Sequence, residues 1–280
     1  MIAVIGTGQV AQHVINYLRT QLIPHVVFTR SSSPLEEGAY FYAIDDLPRL
    51  FDTHKVEAVI NCAALRDIAL CEKDPALAYE ANVHLPKKIS ELAHQVYIST
   101  DYVFDNNHEA RVLDEAARSR GALSVYGQSK LEGEDTVLRR AGVVARISSP
   151  FGIYPSPMKP HFVDFAAMKV GDLTLPNDQH FRMSYLPDVT PLLVQLTNKL
   201  ASDGVYHLTN EGGTNWVEVA RFARQLNRNK SKTFGVARHD TTRPEYGILV
   251  NTRLPKLRHW TEAMQEYFQR GDLAEGRIRR

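Results

Sequence analysis

Net charge, cysteine and long apolar runs are all scarce in this chain of 280 residues, and each scarcity excludes a class of function. Lys and Arg total 33 against 32 Asp and Glu, a formal net charge of +1, so no global field gathers nucleic acid or an anionic membrane. The two cysteines, Cys62 and Cys71, have no metal-like spacing with histidine. No metal site is expected, and the thiols read as free in a reducing cytoplasm. No apolar run approaches the roughly 20 residues that span a bilayer. The MIAVIG start lacks the basic opening and small-residue cleavage site of a signal peptide, so a cytoplasmic protein without a membrane partner is expected. There is no internal repeat and no low-complexity segment, and the basic GRIRR tail reads as a frayed terminus.

What is present suits one large α/β domain, or such a domain with a smaller lobe: 44% hydrophobic and 23% charged residues over this length. Residues 2–5, IAVI, form a short continuous apolar run of the kind buried on both faces of a parallel sheet. The run ends in Gly6-Thr7-Gly8-Gln9-Val10-Ala11, and Val10, Val14, Ile15 and Leu18 then recur at helical spacing. Strand, glycine turn and helix in that order give G-x-G-x-x-A its dinucleotide-binding context. Gly6, Gly8, Gln9 and Val10 are the residues whose backbone would meet a pyrophosphate at the positive end of the helix. The alternative is a tight turn that needs glycine for backbone reasons alone.

A second strand, 25–29, ends in Arg30-Ser31 where NAD-selective sites usually carry an acidic residue. Arginine there suits a 2′-phosphate, so NADP(H) is expected over NAD(H), with Arg30 and Ser31 at the phosphate. A third strand, 58–61, runs into Cys62, Ala63 and Ala64, small residues that leave room for a cofactor at the carboxyl end of the sheet. Residues 75–94 read as one long helix in which Asn82 either braces the loop at Asn61 or faces water. A fourth strand, 96–99, leads into Ser99-Thr100-Asp101-Tyr102. Thr100 is the preferred hydroxyl for a substrate carbonyl, with Ser99 as fallback, because alternation puts only one on a given face. Residues 106–123 read as a polar surface loop and 143–147 as a fifth strand.

Tyr126 and Lys130 stand four apart on a helix expected to close at Gly142, so both project from one face. A cation beside a phenol lowers its pKa from about 10, preparing it to protonate a developing alkoxide. Taken alone the pattern is a common chance match on a solvated helix face. After 150 the strand–helix rhythm lapses into a second lobe spanning mainly 151–280. A helix over 187–201 is expected there, with a strand at 204–209 returning to the sheet of 1–150. Thr214 or Asn215 caps a helix whose Trp216, Val219, Phe222 and Leu226 form a buried stripe. Residues 243–246 read as a loop and 261–270 as a last amphipathic helix.

Several stretches together resemble the extended short-chain dehydrogenase/reductases, and within them the dTDP-4-dehydrorhamnose reductase family. They are the glycine turn, NCAALRDIALCEKDPALAYEAN at 61–82, STDYVFD at 99–105, YGQSKLEGE at 126–134, GVYHLTNEGGTNWVEVARFA at 204–223 and RPEYGILVNT at 243–252. The resemblance implies a Rossmann-type doubly wound parallel sheet with a smaller C-terminal substrate lobe. It further implies NAD(P)H-dependent reduction of a nucleotide-activated 4-keto-6-deoxysugar. The family's catalytic threonine, tyrosine and lysine fall on Thr100, Tyr126 and Lys130, with Ser99, Tyr126 and Lys130 also at the cofactor. Helices flanking such sheets often pair, so a homodimer is within the expectation. Three departures stand out: a glycine turn one residue short, Ser149 in place of the usual tryptophan, and RMSYLPD after Asp178-Gln179. They leave room for a different sugar, for a non-catalytic NADP-binding subunit like the regulatory subunit of methionine adenosyltransferase, or for an epimerase or dehydratase.

Overall fold

The computed structural model describes residues 1–30, 38–106, 112–152, 161–198, 203–237 and 242–275, without the side chains of Phe41 and 271–275. Ser31 and the basic tail 276–280 lie outside the described residues. Seven parallel strands form the main sheet: β1 Ile2–Ile5, β2 His25–Thr29, β3 Tyr40–Phe41, β4 Ala58–Asn61, β5 His94–Thr100, β6 Val143–Ile147 and β7 Gly204–His207. Their order is β7-β6-β5-β4-β1-β2-β3, so the winding reverses between β1 and β4. A reversal of this kind opens a crevice at the carboxyl ends of the two strands.

Both faces of the sheet are covered, which is why its strands read as unbroken apolar runs. Val4, Ile60, Val96 and Ala145 meet Val14 and Leu18 of the helix Gln9–Thr20 and Val189 and Leu193 of the helix Leu186–Gln195. Ala3, Ile5 and Val59, one residue out of step, meet Leu47, Leu85 and Ile89 on the other face. The strand at 58–61 is thus fourth rather than third, because the two-residue β3 has no alternation by which to show itself. The helix at 186–195 starts one residue earlier than expected and ends well before 201.

Residues 75–94 depart further from expectation. The helix Pro75–Tyr79 opens into a wide turn with π geometry over Glu80–His84 and resumes as Leu85–Ser90, and His94 already belongs to β5. Pro86 has no N–H to give the carbonyl four residues back, that of Asn82. The Tyr97 hydroxyl supplies the missing donor, at 2.8 Å from that carbonyl. Within 106–123, read as a loop, Val112–Leu113 pairs with Tyr246–Leu249 in a small sheet that also holds His180–Phe181 and Thr214–Asn215. The residues around 246, also read as loop, are therefore strand. A second apolar core of Phe151, Phe181, Met183, Tyr185, Val219, Trp260 and Met264 lies under that side of the molecule. Asn215 caps the helix Trp216–Leu226, its Oδ1 accepting from the amides of Val217 and Glu218 at 3.0 Å each.

The helix Val125–Leu138 starts at Ser124, whose Oγ accepts from the Gly127 amide at 3.1 Å. It ends at Leu138, before a left-handed Ala141 (φ 54°), rather than at a left-handed Gly142. Its buried face is Gly127, Lys130, Gly133, Glu134 and Val137, so close approach and polar pairing seat it rather than an apolar stripe. A Cβ on Gly133 would collide with the Asn82 carbonyl and the Tyr97 hydroxyl. Alanine at 133 gains about 1 kcal/mol of helix propensity and loses about 3 kcal/mol to the overpacking. Gly133→Ala is therefore expected to be less stable by about 2 kcal/mol in urea denaturation; a midpoint at or above the wild-type value would show that this helix is free to shift.

Candidate active site

The crevice between β1 and β4 is built from backbone. Gly6 adopts φ +101°, and a Cβ there would press on the backbone of Cys62 and Ala63 at 3.2–3.3 Å. The glycine turn after β1 and the small residues after β4 are thereby brought together. Gly8 is the N-cap of the helix Gln9–Thr20, which has no side-chain cap and no acidic residue in its first turn. A Cβ on Gly8 would meet nothing within 4 Å. An uncapped helix terminus facing open space suits a phosphate, and the absence of carboxylates leaves its positive end unopposed. Arg30 is exposed at the end of β2, and its charge acts on the buried Tyr42 hydroxyl, which burial nevertheless raises to about 12. These features fit the phosphates of a dinucleotide.

On the far side of β4, alternation along β5 separates its two terminal hydroxyls. The Thr100 hydroxyl donates to Asp101 Oδ1 at 3.1 Å and lies on the Tyr126 side, where it acts to lower the pKa of the phenol. The Ser99 hydroxyl donates instead to Glu134 Oε1 at 2.5 Å on the helix side. The one proton of the Ser99 hydroxyl is thereby committed to Glu134.

Tyr126 and Lys130 share the expected helix face, but their heads part. Lys130, 1% exposed, donates to the Ile98 carbonyl at 2.7 Å, and its ammonium sits over the Tyr97 ring 3.7 Å from the centroid. Its charge also acts on the Cys62 thiol, which burial raises to about 12, so the ammonium lies toward the crevice. Burial lowers Lys130 to about 7, against the pull of Glu134. Tyr126 is raised to about 12, burial outweighing the opposing influence of Thr100 and the charge of Arg66. The expected acidification of the phenol is thus reversed. An ammonium turned toward a carbonyl does not offset the desolvation of the ring.

Beneath these residues lies a buried ionic knot. Arg146 on β6 donates to both oxygens of Glu134, at 2.8 and 2.6 Å, and lies over the Phe104 ring at 4.9 Å. Arg146 Nη1 also donates to His207 Nε2 at 3.4 Å, and His207 Nδ1 donates to the Val250 carbonyl at 3.0 Å. Burial lowers His207 to about 4, so the imidazole is neutral and can accept from the arginine. Asn82 is buried and spans the loop after β4: its Oδ1 accepts from the Leu65 amide, and its Nδ2 donates to the Leu65 carbonyl and to Ser129 Oγ, all at 2.9–3.0 Å. It holds the loop at Leu65 rather than at Asn61 itself. Trp216 packs on Phe162 and Phe181, and its Nε1 donates to Gln179 at 2.7 Å, so this indole belongs to the second core.

Asp101 and Arg243, singled out neither by periodicity nor by spacing, also belong to this site: the charge of Asp101 acts on Tyr126, and that of Arg243 on Asp101. Asp101 accepts from Thr100 Oγ1 at 3.1 Å and from Ser148 Oγ at 2.8 Å. Arg243 lies over the Tyr102 ring at 5.7 Å, and that ring meets Tyr126 edge-on at 5.6 Å. Adjacency to Thr100 was the available signal for Asp101; Arg243 is 117 residues from Tyr126 in the chain and left none. Ser149, in place of the tryptophan, takes a left-handed φ of 41°.

Burial raises Asp101 from 3.8 to about 6, although Ser148, Thr100 and Arg243 all pull it down. A carboxyl raised in the fold contributes its full stability below about pH 4 and loses it as pH rises through about 6. Asp101→Asn is expected to be about 2–3 kcal/mol more stable than wild type at pH 8 and no more stable near pH 3. Denaturation curves at the two pH values check this, and a variant equally stable at both would contradict it.

The profile of the RmlD substrate binding domain family matches residues 1–272. The dTDP-4-dehydrorhamnose reductase of Streptomyces griseus is 29% identical over 240 residues, 77% of each chain. A crystal structure of dTDP-4-dehydrorhamnose reductase from Bacillus anthracis in complex with NADP superposes with a TM-score of 0.83 at 22% identity, over 96% of this chain and 98% of that one. A UDP-glucose 4-epimerase from Thermotoga maritima, solved with UDP-glucose, reaches a TM-score of 0.81 at 19% identity, over 98% and 100% of the two chains. At such identities the structural likeness speaks for a shared extended Rossmann-type fold, which serves more than one activity. The sequence profile is narrower, and since it runs through 272 of the 280 residues, this chain belongs to the RmlD substrate binding domain family.

Proposed function

We propose that this chain is an NADPH-dependent reductase of a nucleotide-activated 4-keto-6-deoxysugar, working in the cytoplasm. One observation supports this above the others: Thr100 at the carboxyl end of β5 lies beside the buried Tyr126, in the same sheet whose β1 ends in an open glycine turn. The two reductases named above agree with it.

Gly6, Gly8, Gln9 and Val10 would hold the pyrophosphate, Arg30 and Ser31 the 2′-phosphate, and Cys62, Ala63 and Ala64 the adjoining ribose. When bound, the nicotinamide supplies a hydride to the ketone carbon. Tyr126 donates its proton to the oxygen, a task for which a phenol held near 12 is loaded throughout the neutral range. Thr100 fixes the direction of that O–H. Lys130 brings a positive charge to the Cys62 side of the crevice, where nicotinamide and its ribose would lie. Residues 151–280 supply most of the sugar side, and Ser149, just before them, offers far less apolar surface than an indole. That favours a sugar other than the rhamnose precursor. A homodimer is the assembly this reading carries forward.

NADPH oxidation across a panel of nucleotide-linked 4-ketosugars tests the proposal, and a panel without any turnover would end it. Tyr126→Phe is expected to lower kcat by about 10²–10⁴-fold while NADPH affinity stays within about twofold. Gly8→Ala should fold like wild type, its Cβ entering open space, yet weaken NADPH binding by about tenfold or more, the worth of about 1.4 kcal/mol. Arg30→Ala is expected to erode the preference for NADPH over NADH by a similar factor; unchanged Kd values for both cofactors would remove the 2′-phosphate role.

A further inference from the structure

The loop between β4 and the helix Ile68–Lys73 runs from the crevice to the helix that carries Tyr126, and hydrogen bonds pin it along the way. At its start, Asn61 Oδ1 accepts from the Ala63 amide at 3.2 Å, and Cys62 and Ala63 lie against Gly6 of the glycine turn. Further on, Asn82 holds both the amide and the carbonyl of Leu65 and donates to Ser129 Oγ. Ser129 Oγ in turn donates to the Tyr126 carbonyl at 2.8 Å. Asp67 Oδ1 accepts from the Leu70 amide at 3.0 Å, which caps the helix Ile68–Lys73. Glu72 of that helix accepts from the Val125 amide at 2.8 Å. Arg66 stands between the anchors at Leu65 and Asp67, so its backbone is fixed beside the first turn of the Tyr126 helix.

The Arg66 side chain is exposed and makes no hydrogen bond or ion pair with the described residues. Its neighbour Asp67 is committed to the helix cap. Other cations of the region are engaged: Lys130 by the Ile98 carbonyl, Arg146 by Glu134 and Arg182 by Glu211. A guanidinium that is open to solvent and unneutralised suits an anion that arrives from outside, and its planar fork matches two phosphate oxygens. Because the backbone beneath it is already ordered, such a contact costs less entropy.

We propose that Arg66 is a substrate-binding residue that holds the diphosphate of the nucleotide-activated sugar; this rests on the reductase reading above. The sugar's charge lies on that diphosphate, next to the ring whose ketone must reach Tyr126. The charge of Arg66 acts on the Tyr126 phenol, so a group held by the guanidinium is close to the reacting end of the crevice. One loop then serves two diphosphates without crowding them. The cofactor's lies at the glycine turn, against Cys62 and Ala63, and the substrate's lies beyond Leu65.

The test is direct binding to the full chain saturated with NADPH, with dTDP and UDP as probes against dTMP and UMP. Wild type is expected to bind at least one diphosphate about tenfold or more tightly than its monophosphate. In Arg66→Gln that diphosphate should weaken by about tenfold or more and the monophosphate by less than about threefold. Arg66→Lys, which keeps the charge and loses the fork, should fall between. NADPH affinity should stay within about twofold, and the urea midpoint of Arg66→Gln should match wild type, since nothing buried loses a partner. With dTDP-4-keto-6-deoxy-D-glucose, KM should rise by the factor lost in diphosphate binding while kcat stays within about threefold. Undiminished diphosphate binding in Arg66→Gln overturns the assignment, as does an equal loss for mono- and diphosphates or a matching loss of NADPH. A wild type that binds neither diphosphate ends the nucleotide-sugar reading and this inference together. Diphosphate binding that depends on Arg66 in a protein idle on every ketosugar counts against the reductase reading alone.

Discussion

The bidentate pair between Arg146 and Glu134 fixes where the reacting phenol can be. A helix whose buried face is Gly127, Lys130, Gly133 and Glu134 has little apolar surface with which to find its seat. Its position is set by the arginine of β6, by Ser99 on β5 and by the Ile98 carbonyl, each satisfying a charge or dipole that could not stay buried alone. A buried ion pair adds little net stability over an apolar substitute, but losing one partner costs about 3–5 kcal/mol. That asymmetry makes the pair a locator more than a source of stability. His207 and Val250 extend it to β7 and the C-terminal segment, tying the second half of the chain to the first.

Burial governs the chemistry above this base. Cations and hydrogen bonds around Tyr126, Asp101 and Cys62 each act in the direction simple electrostatics requires, and in each case desolvation prevails. A phenol with a high pKa stays protonated throughout the neutral range, though it is a weaker acid than one poised near the working pH.

The parts of this architecture readable in the sequence are those that depend on short-range rules. β1, β2, β4 and β6 coincide with their apolar runs, and the glycine turn declares itself by strand and helix on either side. Asn215 announced its helix because capping is local. What stayed hidden depends on distance. The choice between Thr100 and Ser99 needed the direction of one strand relative to a helix 25 residues on. The heads of Tyr126 and Lys130 diverge because their partners come from β5, and no helical spacing contains that information. Asp101 and Arg243 become neighbours only after the strand at 246–249 has folded back beneath the cleft.

The widened turn at Glu80–His84 has one more consequence. It makes the chain's length there non-negotiable: deleting one residue would restore the ordinary ladder, and deleting or inserting one would swing everything downstream by about 100° around the axis. Asn82 would let go of Leu65, and Arg66 would drift from Tyr126. Relatives that keep a proline four places after such an asparagine should therefore tolerate substitutions along this segment far better than insertions or deletions.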